Sequence, residues 1–325
     1  MSKFLSNPAA NRVIQGHIAI LAANIIFGSN IPIAKAVMPA YMEAFAMAFF
    51  RTIGAMLLFW IASAFVKWER VPPRDLIRLF FAAMFGILMN QMLFVKGLEY
   101  ISPIEAAIVV TFTPILTMLL SALFLKEPIT FKKAIGVLLG LSGAVYMIVS
   151  SASPGDAQTA AGTATAGESS RHFIGLTLCI VSGLSYAIYL TAFKPVIQRY
   201  SSITIMKWMF LFGSCISFPI TFRYVQRIDF SAWQPLTYVQ IGYVVASATF
   251  LTYLLIPVAQ QRLRPTTLSV YNYIQPITAT TIALIWGMDH FTWPKVIATI
   301  LVFTGVYIVT QSKSRAQLDA ERQAA

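Results

Sequence analysis

Apolar residues occur in long blocks along the chain, and short polar segments separate one block from the next. Each block holds about 20 residues, the length at which a helix crosses roughly 30 Å of hydrocarbon. Lipid offers the backbone no hydrogen-bond partner, so a spanning segment must be a helix or part of a closed barrel. Barrel strands would alternate polar and apolar residues, and these blocks do not. The pattern predicts an all-α polytopic membrane protein with ten transmembrane helices, near residues 17–37, 43–65, 76–97, 104–125, 132–150, 173–193, 203–222, 238–259, 266–287 and 294–311.

The stretch from residue 103 to residue 143 occurs twice in the sequence. Each position matches the position 162 residues further on, so that Pro103 corresponds to Pro265 and Gly143 to Gly305. A repeat at a fixed offset indicates one structural unit used twice. Because each unit holds five predicted spans, an odd number, the second unit would enter the membrane upside down, as in many secondary transporters. We predict two inverted five-helix repeats, at 1–150 and 173–312. Between them lies a flexible linker rich in small residues at 151–172, and a tail follows at 313–325.

Composition and charge agree with this class of protein. Hydrophobic residues make up 58% of the chain and charged residues 11%, whereas soluble domains carry about 25% charged residues. The basic residues behind the net charge of +12 concentrate in alternate predicted loops, and such loops lie in the cytoplasm. We therefore expect cytoplasmic termini, an extracytoplasmic linker, contact with an anionic lipid leaflet and no nucleic-acid partner.

Two prolines, Pro114 and Pro276, lie near the middle of the predicted fourth and ninth spans. Proline removes a backbone hydrogen bond, so we expect helix kinks whose freed carbonyl groups are buried in protein or line a watery cavity. Polar and aromatic residues gather around these positions, and an unbonded amide in hydrocarbon is costly, so they should face inward. The alternative is that they only join helices. The candidate substrate-binding residues are Asn24, Phe27, Asn30, Arg51, Asn90, Gln91, Phe94, Thr111, Tyr186, Tyr189, Tyr253, Tyr271, Asn272 and Gln275.

Arg51 is the sharpest single signal, because it lies about 12 Å along its helix from the outer end at ~1.5 Å per residue. A charge at that depth is by default a functional-site hypothesis. Two structural alternatives are snorkelling of the side chain to the interface and an ion pair with Glu43. If Arg51 reaches the cavity, a carboxylate-bearing substrate is favoured; otherwise the cavity is neutral and accepts uncharged or cationic compounds.

Other ionisable residues receive structural interpretations. Lys207 lies near a helix end and should snorkel, while Glu127 and Asp289 precede predicted helices and should cap them. The three histidines, His17, His172 and His290, lie far apart and lack the spacing of a zinc site. No nucleophile elbow or P-loop is present, so we expect no cofactor, no metal, no enzyme activity and no ATP bound by this chain.

Several short segments resemble one family. Lys96-Gly-Leu-Glu-Tyr-Ile-Ser-Pro, Leu125-Lys-Glu-Pro and Ile25-Ile-Phe-Gly-Ser-Asn are similar to motifs of the drug/metabolite transporter superfamily, EamA type. The resemblance covers nearly the whole chain apart from the linker and the termini. It implies export from a bacterial cytoplasm across the inner membrane.

The combined prediction is a secondary transporter that exports small metabolites, such as amino acids or related compounds, by alternating access. The alternatives are a membrane-embedded enzyme, a sensor or scaffold, or an organic-anion or drug exchanger. Coupling to a proton or ion gradient and assembly as a homodimer are left open.

Overall fold

Helices account for nearly all of the residues that the structure, a computed structural model, describes: 8–101, 109–151, 166–285 and 293–312. The helices before the 152–165 gap, here called the first half, are α1 (Pro8–Tyr41), α2 (Ala44–Ser63), α3 (Pro73–Ala83), a π-helical segment (Met84–Met89), α4 (Asn90–Tyr100), α5 (Thr113–Phe124) and α6 (Phe131–Ser151). Those of the second half are α7 (Ala166–Ala192), α8 (Lys194–Ile197), α9 (Ser202–Val225), a 3₁₀ turn (Phe230–Ala232), α10 (Pro235–Val245), a second π-helical segment (Ala246–Leu251), α11 (Thr252–Gln260), α12 (Pro265–Val270), a 3₁₀ turn (Tyr271–Tyr273), α13 (Ile274–Ile285) and α14 (Trp293–Thr310). These ranges contain no strand, so the predicted all-α class is confirmed.

Within the described ranges, six helical stretches are long and apolar enough to cross a bilayer: Asn11–Met38, Ala44–Ser63, Pro73–Tyr100, Arg171–Ala192, Ser202–Val225 and Pro235–Gln260. Two shorter apolar helices, Thr113–Phe124 and Thr299–Val309, lie within the predicted fourth and tenth spans. Large apolar side chains on the outside of these helices, such as Leu123 and Phe173, are exposed, as expected for residues that face lipid rather than water. The chain is therefore a polytopic α-helical membrane protein, and the count of ten spans stays a prediction.

Elements recur in the structure at the offset seen in the sequence. The α-helices that begin at Pro73 and at Pro235 end in π-helical segments at corresponding positions, Met84–Met89 and Ala246–Leu251. Residues at this offset also contact each other: Ser214 Oγ donates to the carbonyl oxygen of Thr52, 162 residues away, at 3.4 Å. Residues that meet their own counterparts lie on a two-fold axis relating two similar units. The two halves thus pack around an approximate two-fold axis.

The helix pairs follow the same symmetry. Helix α1 packs against α11 and α13, and its counterpart α7 packs against α4 and α5, while α2 packs along α9 and α6 along α14. The α6–α14 pair is the closest of these contacts: a Cβ added at Gly305 would lie 2.5 Å from the backbone nitrogen of Gly140. Small residues permit this approach, which supplies the van der Waals contact that holds helices together in lipid.

The turn between α5 and α6 corrects the capping role expected for Glu127. Helix α6 is capped by Thr130, whose Oγ1 accepts from the backbone N–H of Lys133 at 3.2 Å. The Glu127 carboxylate instead pairs with the buried Lys133 ammonium at 2.9 Å. Threonine is the better cap because its short side chain reaches the first free N–H groups directly. Asp289 and His290 lie outside the described residues.

Lys207 extends toward the end of the bundle, but protein rather than water surrounds its ammonium group. The residue is 2% exposed, and its ammonium group lies 3.8 Å from the centre of the Trp68 ring. An aromatic face attracts a cation electrostatically and replaces part of its hydration. This contact joins α9 to the loop between α2 and α3.

Candidate functional site

The two π-helical segments lie at the centre of the site and are held by side-chain hydroxyl groups. A π-helical turn disturbs the regular backbone ladder, and such turns occur frequently at functional sites. Ser185 Oγ on α7 donates to the carbonyl oxygen of Phe85 at 2.6 Å, and Tyr253 Oη on α11 donates to that of Gly86 at 3.4 Å. In the second segment, Thr249 Oγ1 donates to the carbonyl oxygen of Val244 at 2.8 Å. Polar side chains therefore lie in the middle of both halves.

Gln91 and Tyr253 meet on the two-fold axis. They are counterparts at an offset of 162, and Gln91 Nε2 donates to Tyr253 Oη at 2.9 Å. The buried Gln91 Oε1 has no partner in the described part of the chain. The Tyr253 ring makes edge contacts with Phe27, at 6.3 Å between ring centroids, and with Phe210, at 5.1 Å. The site thus combines an amide, a phenol and aromatic faces from both halves.

Arg51 reaches across from α2 to the second π-helical segment. The residue is 8% exposed, and its Nε–H donates to Thr249 Oγ1 at 3.1 Å. Glu43 does not pair with it, because that carboxylate lies 3.5 Å from Arg227 instead. The low exposure also excludes a side chain extended to the outer interface. The structure therefore shows neither snorkelling of Arg51 nor an ion pair between Arg51 and Glu43.

A second group of polar contacts joins α1 to the helix break before Pro276. Gln275 Nε2 donates to Asn24 Oδ1 at 2.8 Å, while Asn24 Nδ2 donates to the carbonyl oxygen of Ile20 at 2.9 Å. His17 Nδ1 lies 2.8 Å from Tyr271 Oη. The 3₁₀ turn at Tyr271–Tyr273 interrupts the helix immediately before the proline. At the corresponding place in the first half, a turn at 111–112 precedes α5 and Pro114.

A third group lies between α4 and α7. Asn90 Nδ2 donates to Ser182 Oγ at 3.2 Å, and Ser182 Oγ donates back to the carbonyl oxygen of Asn90 at 2.7 Å. The rings of Tyr186 and Tyr189 stack at 6.0 Å between centroids. The buried Tyr189 hydroxyl has no partner among the described residues, so this face of α7 holds an unused hydrogen-bonding group.

The remaining candidates are less closely joined to these groups. Thr111 and Asn272 are buried next to the two helix breaks, and Asn30 is buried with its Oδ1 unpaired within the described chain. Phe94 lies apart, in a small apolar cluster with Ile101, Val109 and Cys179.

Two residues of these networks were missed or under-weighted by the sequence reasoning. Thr249 was one of many polar residues on the eighth predicted span, and nothing in the sequence places it opposite Arg51. From the sequence, His17 is only one of three histidines that lack the spacing of a zinc site. Its signal was its spacing, because His17 and Asn24 are seven residues apart and so lie on one face of α1. Across the described ranges, no three potential metal-ligand residues form a cluster.

Apolar helices that enclose polar side chains between two related halves define a multi-pass membrane protein, and comparison with known proteins identifies its kind. The sequence profile of the EamA-like transporter family matches residues 14–149 and 173–311. The chain therefore belongs to the EamA-like transporter family. It is a membrane transporter that works in a lipid bilayer on small molecules.

Similar proteins occur in all three domains of life. An uncharacterized transporter of Archaeoglobus fulgidus is 24% identical over 275 residues, covering 84% of this chain and 91% of the relative. The uncharacterized transporter YetK of Bacillus subtilis is 22% identical over 305 residues, covering 92% and 88%. Protein WALLS ARE THIN 1 of Arabidopsis thaliana is 24% identical over 329 residues, covering 93% and 84%. One solved crystal structure matches with a TM-score of 0.71 at 19% identity, covering 93% of this chain and 98% of its own, which shows a shared fold.

Proposed function

We propose that this transporter exports small metabolites, such as amino acids or related compounds, from a bacterial cytoplasm by alternating access around a site on the two-fold axis. The observation that carries the proposal is the hydrogen bond between Gln91 and Tyr253 at 2.9 Å. Two polar side chains from different halves meet there among aromatic rings. A substrate that replaces this contact would be gripped by both halves at once, which couples its binding to their relative movement.

The contacts at the two ends of the bundle support a conformation closed toward the basic loops. At that end the buried Asp75 carboxylate accepts from Tyr200 Oη at 2.7 Å and from Arg199 Nη1 at 3.2 Å. Glu69 Oε2 accepts from the backbone N–H of Ser201 at 3.0 Å and from its hydroxyl at 2.9 Å. Each bond joins the first half to the second. On the positive-inside rule this closed end faces the cytoplasm, so it must open to admit an exported compound.

At the opposite end, an apolar cluster that includes Met47 and Val244 joins the halves, and the Glu43–Arg227 ion pair beside it is weak. Its atoms lie 3.5 Å apart, and the side chains are 52% and 66% exposed. An exposed pair of this kind contributes little, about 0–1 kcal/mol. On the positive-inside rule we assign both termini to the cytoplasm and the linker to the opposite side. A cysteine placed at Ala161 should then react with a membrane-impermeant reagent from outside intact cells, whereas one at Arg70 should not.

Alternating access is tested by cross-linking the two halves at the end that carries the basic loops. In a background with both native cysteines replaced, Glu69→Cys and Ser201→Cys should react with a short bifunctional thiol reagent, because the two native side chains are in contact. Cross-linking should stop flux in reconstituted vesicles, and a reducible linker should restore it on reduction. The probe compound is chosen first from a panel of amino acids, organic acids and amines by thermal stabilisation of the purified protein.

The matched controls are the two single-cysteine variants treated with the same reagent. They should keep transporting, since one anchored end cannot join the halves. Undiminished flux through the cross-linked double variant would contradict movement at this end. A panel in which no compound stabilises the protein or enters vesicles would contradict the proposed substrate class.

A further inference from the structure

Arg51 carries a charge that no described acidic residue neutralises. Among the described residues it forms no ion pair, and Glu43 is engaged by Arg227. A guanidinium group has five N–H donors, and within the described ranges only Nε–H is bonded, to Thr249 Oγ1 at 3.1 Å. Its terminal nitrogens are not fully buried, and no described residue accepts a hydrogen bond from them. The fork of the Arg51 guanidinium group is thus left without a partner among the described residues.

Thr249 fixes the direction of that fork. Its hydroxyl donates its proton to the carbonyl oxygen of Val244 at 2.8 Å. The oxygen lone pairs are therefore left to accept from Arg51, and the hydroxyl cannot compete as a donor for an anion. The π-helical segment creates this arrangement, since the Thr249 side chain reaches the carbonyl group five residues earlier.

The two-fold symmetry shows that the helix crossing does not need this contact. The counterparts of Arg51 and Thr249 at the offset of 162 are Gly213 and Ile87. They also face each other, because a Cβ added at Gly213 would lie 3.4 Å from Ile87 Cγ2. The same crossing is therefore built once from a charged and a polar residue and once from apolar ones. Burying a charge is costly, and packing alone gives no reason to do so on one side only.

We propose that Arg51 binds the carboxylate of the transported compound. The proposal rests on the proposed function and names the substrate class of that site: a small monocarboxylate with an apolar or aromatic body. A carboxylate matches the guanidinium fork with two parallel hydrogen bonds and cancels its charge. The body of the compound would lie against the aromatic rings of Tyr253 and Phe27, which meet edge to face at 6.3 Å.

Three related probes separate the carboxylate from the rest of the molecule: phenylalanine, phenylacetate and phenethylamine. The first two carry a carboxylate and the third does not. We expect the two acids to stabilise the purified wild type and to enter vesicles, and the amine to do neither. In Arg51→Gln the apparent affinity for both acids should fall about 10- to 100-fold, the usual loss when a charge-assisted hydrogen bond is removed. The affinity of Arg51→Lys for both acids should lie between those of the wild type and of Arg51→Gln, because lysine keeps the charge and loses the fork.

A double variant controls for folding. Arg51→Gly with Thr249→Ile copies the Gly213–Ile87 contact that the other half already uses, so it should fold and melt close to the wild type while losing response to the acids. Arg223→Gln, which removes a positive charge from an exposed site on α9, should behave as wild type throughout.

The possible failures are distinguishable. If amines or neutral compounds are transported and Arg51→Gln changes nothing, the carboxylate site is wrong while the proposed function stands. If organic phosphates replace the acids as the Arg51-dependent ligands, the anion site stands but the carboxylate class is wrong. If the double variant and Arg51→Gln both fail to fold, Arg51 is structural and the proposal is overturned. If no compound of any charge enters wild-type vesicles, the proposed function itself fails.

Discussion

The glycine contact between α6 and α14 gives a quantitative test of the packing, and we expect Gly305→Ala to weaken it strongly. A methyl group at Gly305 would lie 2.5 Å from Gly140 N, 2.6 Å from Gly136 O and 2.9 Å from Gly140 Cα. All three atoms belong to the backbone of α6, so no side chain can turn away to make room. The helices would have to separate by about 1 Å to restore ordinary contact, which forfeits a quarter to a half of the dispersion energy of each contact that is opened.

The expected cost is about 1–3 kcal/mol, the usual effect of overpacking. The loss affects an interface that has no hydrophobic driving force, because helix association in a membrane depends on close packing of small residues. The assay is thermal unfolding of the purified protein in one detergent, combined with denaturant unfolding to obtain the free energy.

Gly242→Ala is the matched control. It changes a helical glycine in the same way, but a Cβ there meets nothing within 4 Å. Alanine is favoured over glycine in a helix by up to about 1 kcal/mol, so this variant should equal or slightly exceed the wild type in stability. Equal stability of the Gly305 and Gly242 variants would refute the claim that glycine sets the distance between α6 and α14.

Two further predictions concern the end that carries the basic loops. Asp75→Asn should destabilise the protein by about 1–3 kcal/mol, because Arg199 and Tyr200 lose a charged acceptor; Asp229→Asn, an exposed acid, should unfold as the wild type does. Burial lowers the pKa of Lys194 from 10.5 to about 8, with Glu127 opposing the shift and Arg264 adding to it. The folded protein then binds fewer protons than the unfolded chain between those pH values, so stability should rise there by up to ~3 kcal/mol, and Lys194→Gln should lack that rise in a melting series from pH 7 to 10.5.

The sequence predicts the helical class well because that class follows from local patterns. Apolar blocks of spanning length define the class, and the constant offset between Pro103 and Pro265 defines the repeat. The candidate Asn24 has a clear reason to face inward, since an amide is costly in lipid. That reasoning selects a side of the helix. It does not select a partner.

Partners could not be predicted, because they depend on how the halves pack. Nothing in the sequence says that Gln91 and Tyr253 contact each other rather than other polar groups, although each was a candidate. The same limit explains the error at Glu127: the sequence places an acid before a helix, but only the folded turn shows Lys133 within reach of its carboxylate. The local pattern predicted a helix cap, whereas the Glu127 carboxylate forms a tertiary ion pair.

The proposed cycle also sets a requirement on energy. Opening the basic end removes the contacts of Asp75 with Arg199 and Tyr200 and those of Glu69 with Ser201. At about 0.5–1.5 kcal/mol for an ordinary hydrogen bond, and more for charged partners, their loss amounts to several kcal/mol. A transporter populates both conformations only if their free energies differ by a few kcal/mol. The exposed Glu43–Arg227 pair is too weak to offset that loss. Compensation must therefore come from rearranged contacts at the outer end, from a coupling ion, or from the substrate, and a carboxylate that neutralises Arg51 offers one such source.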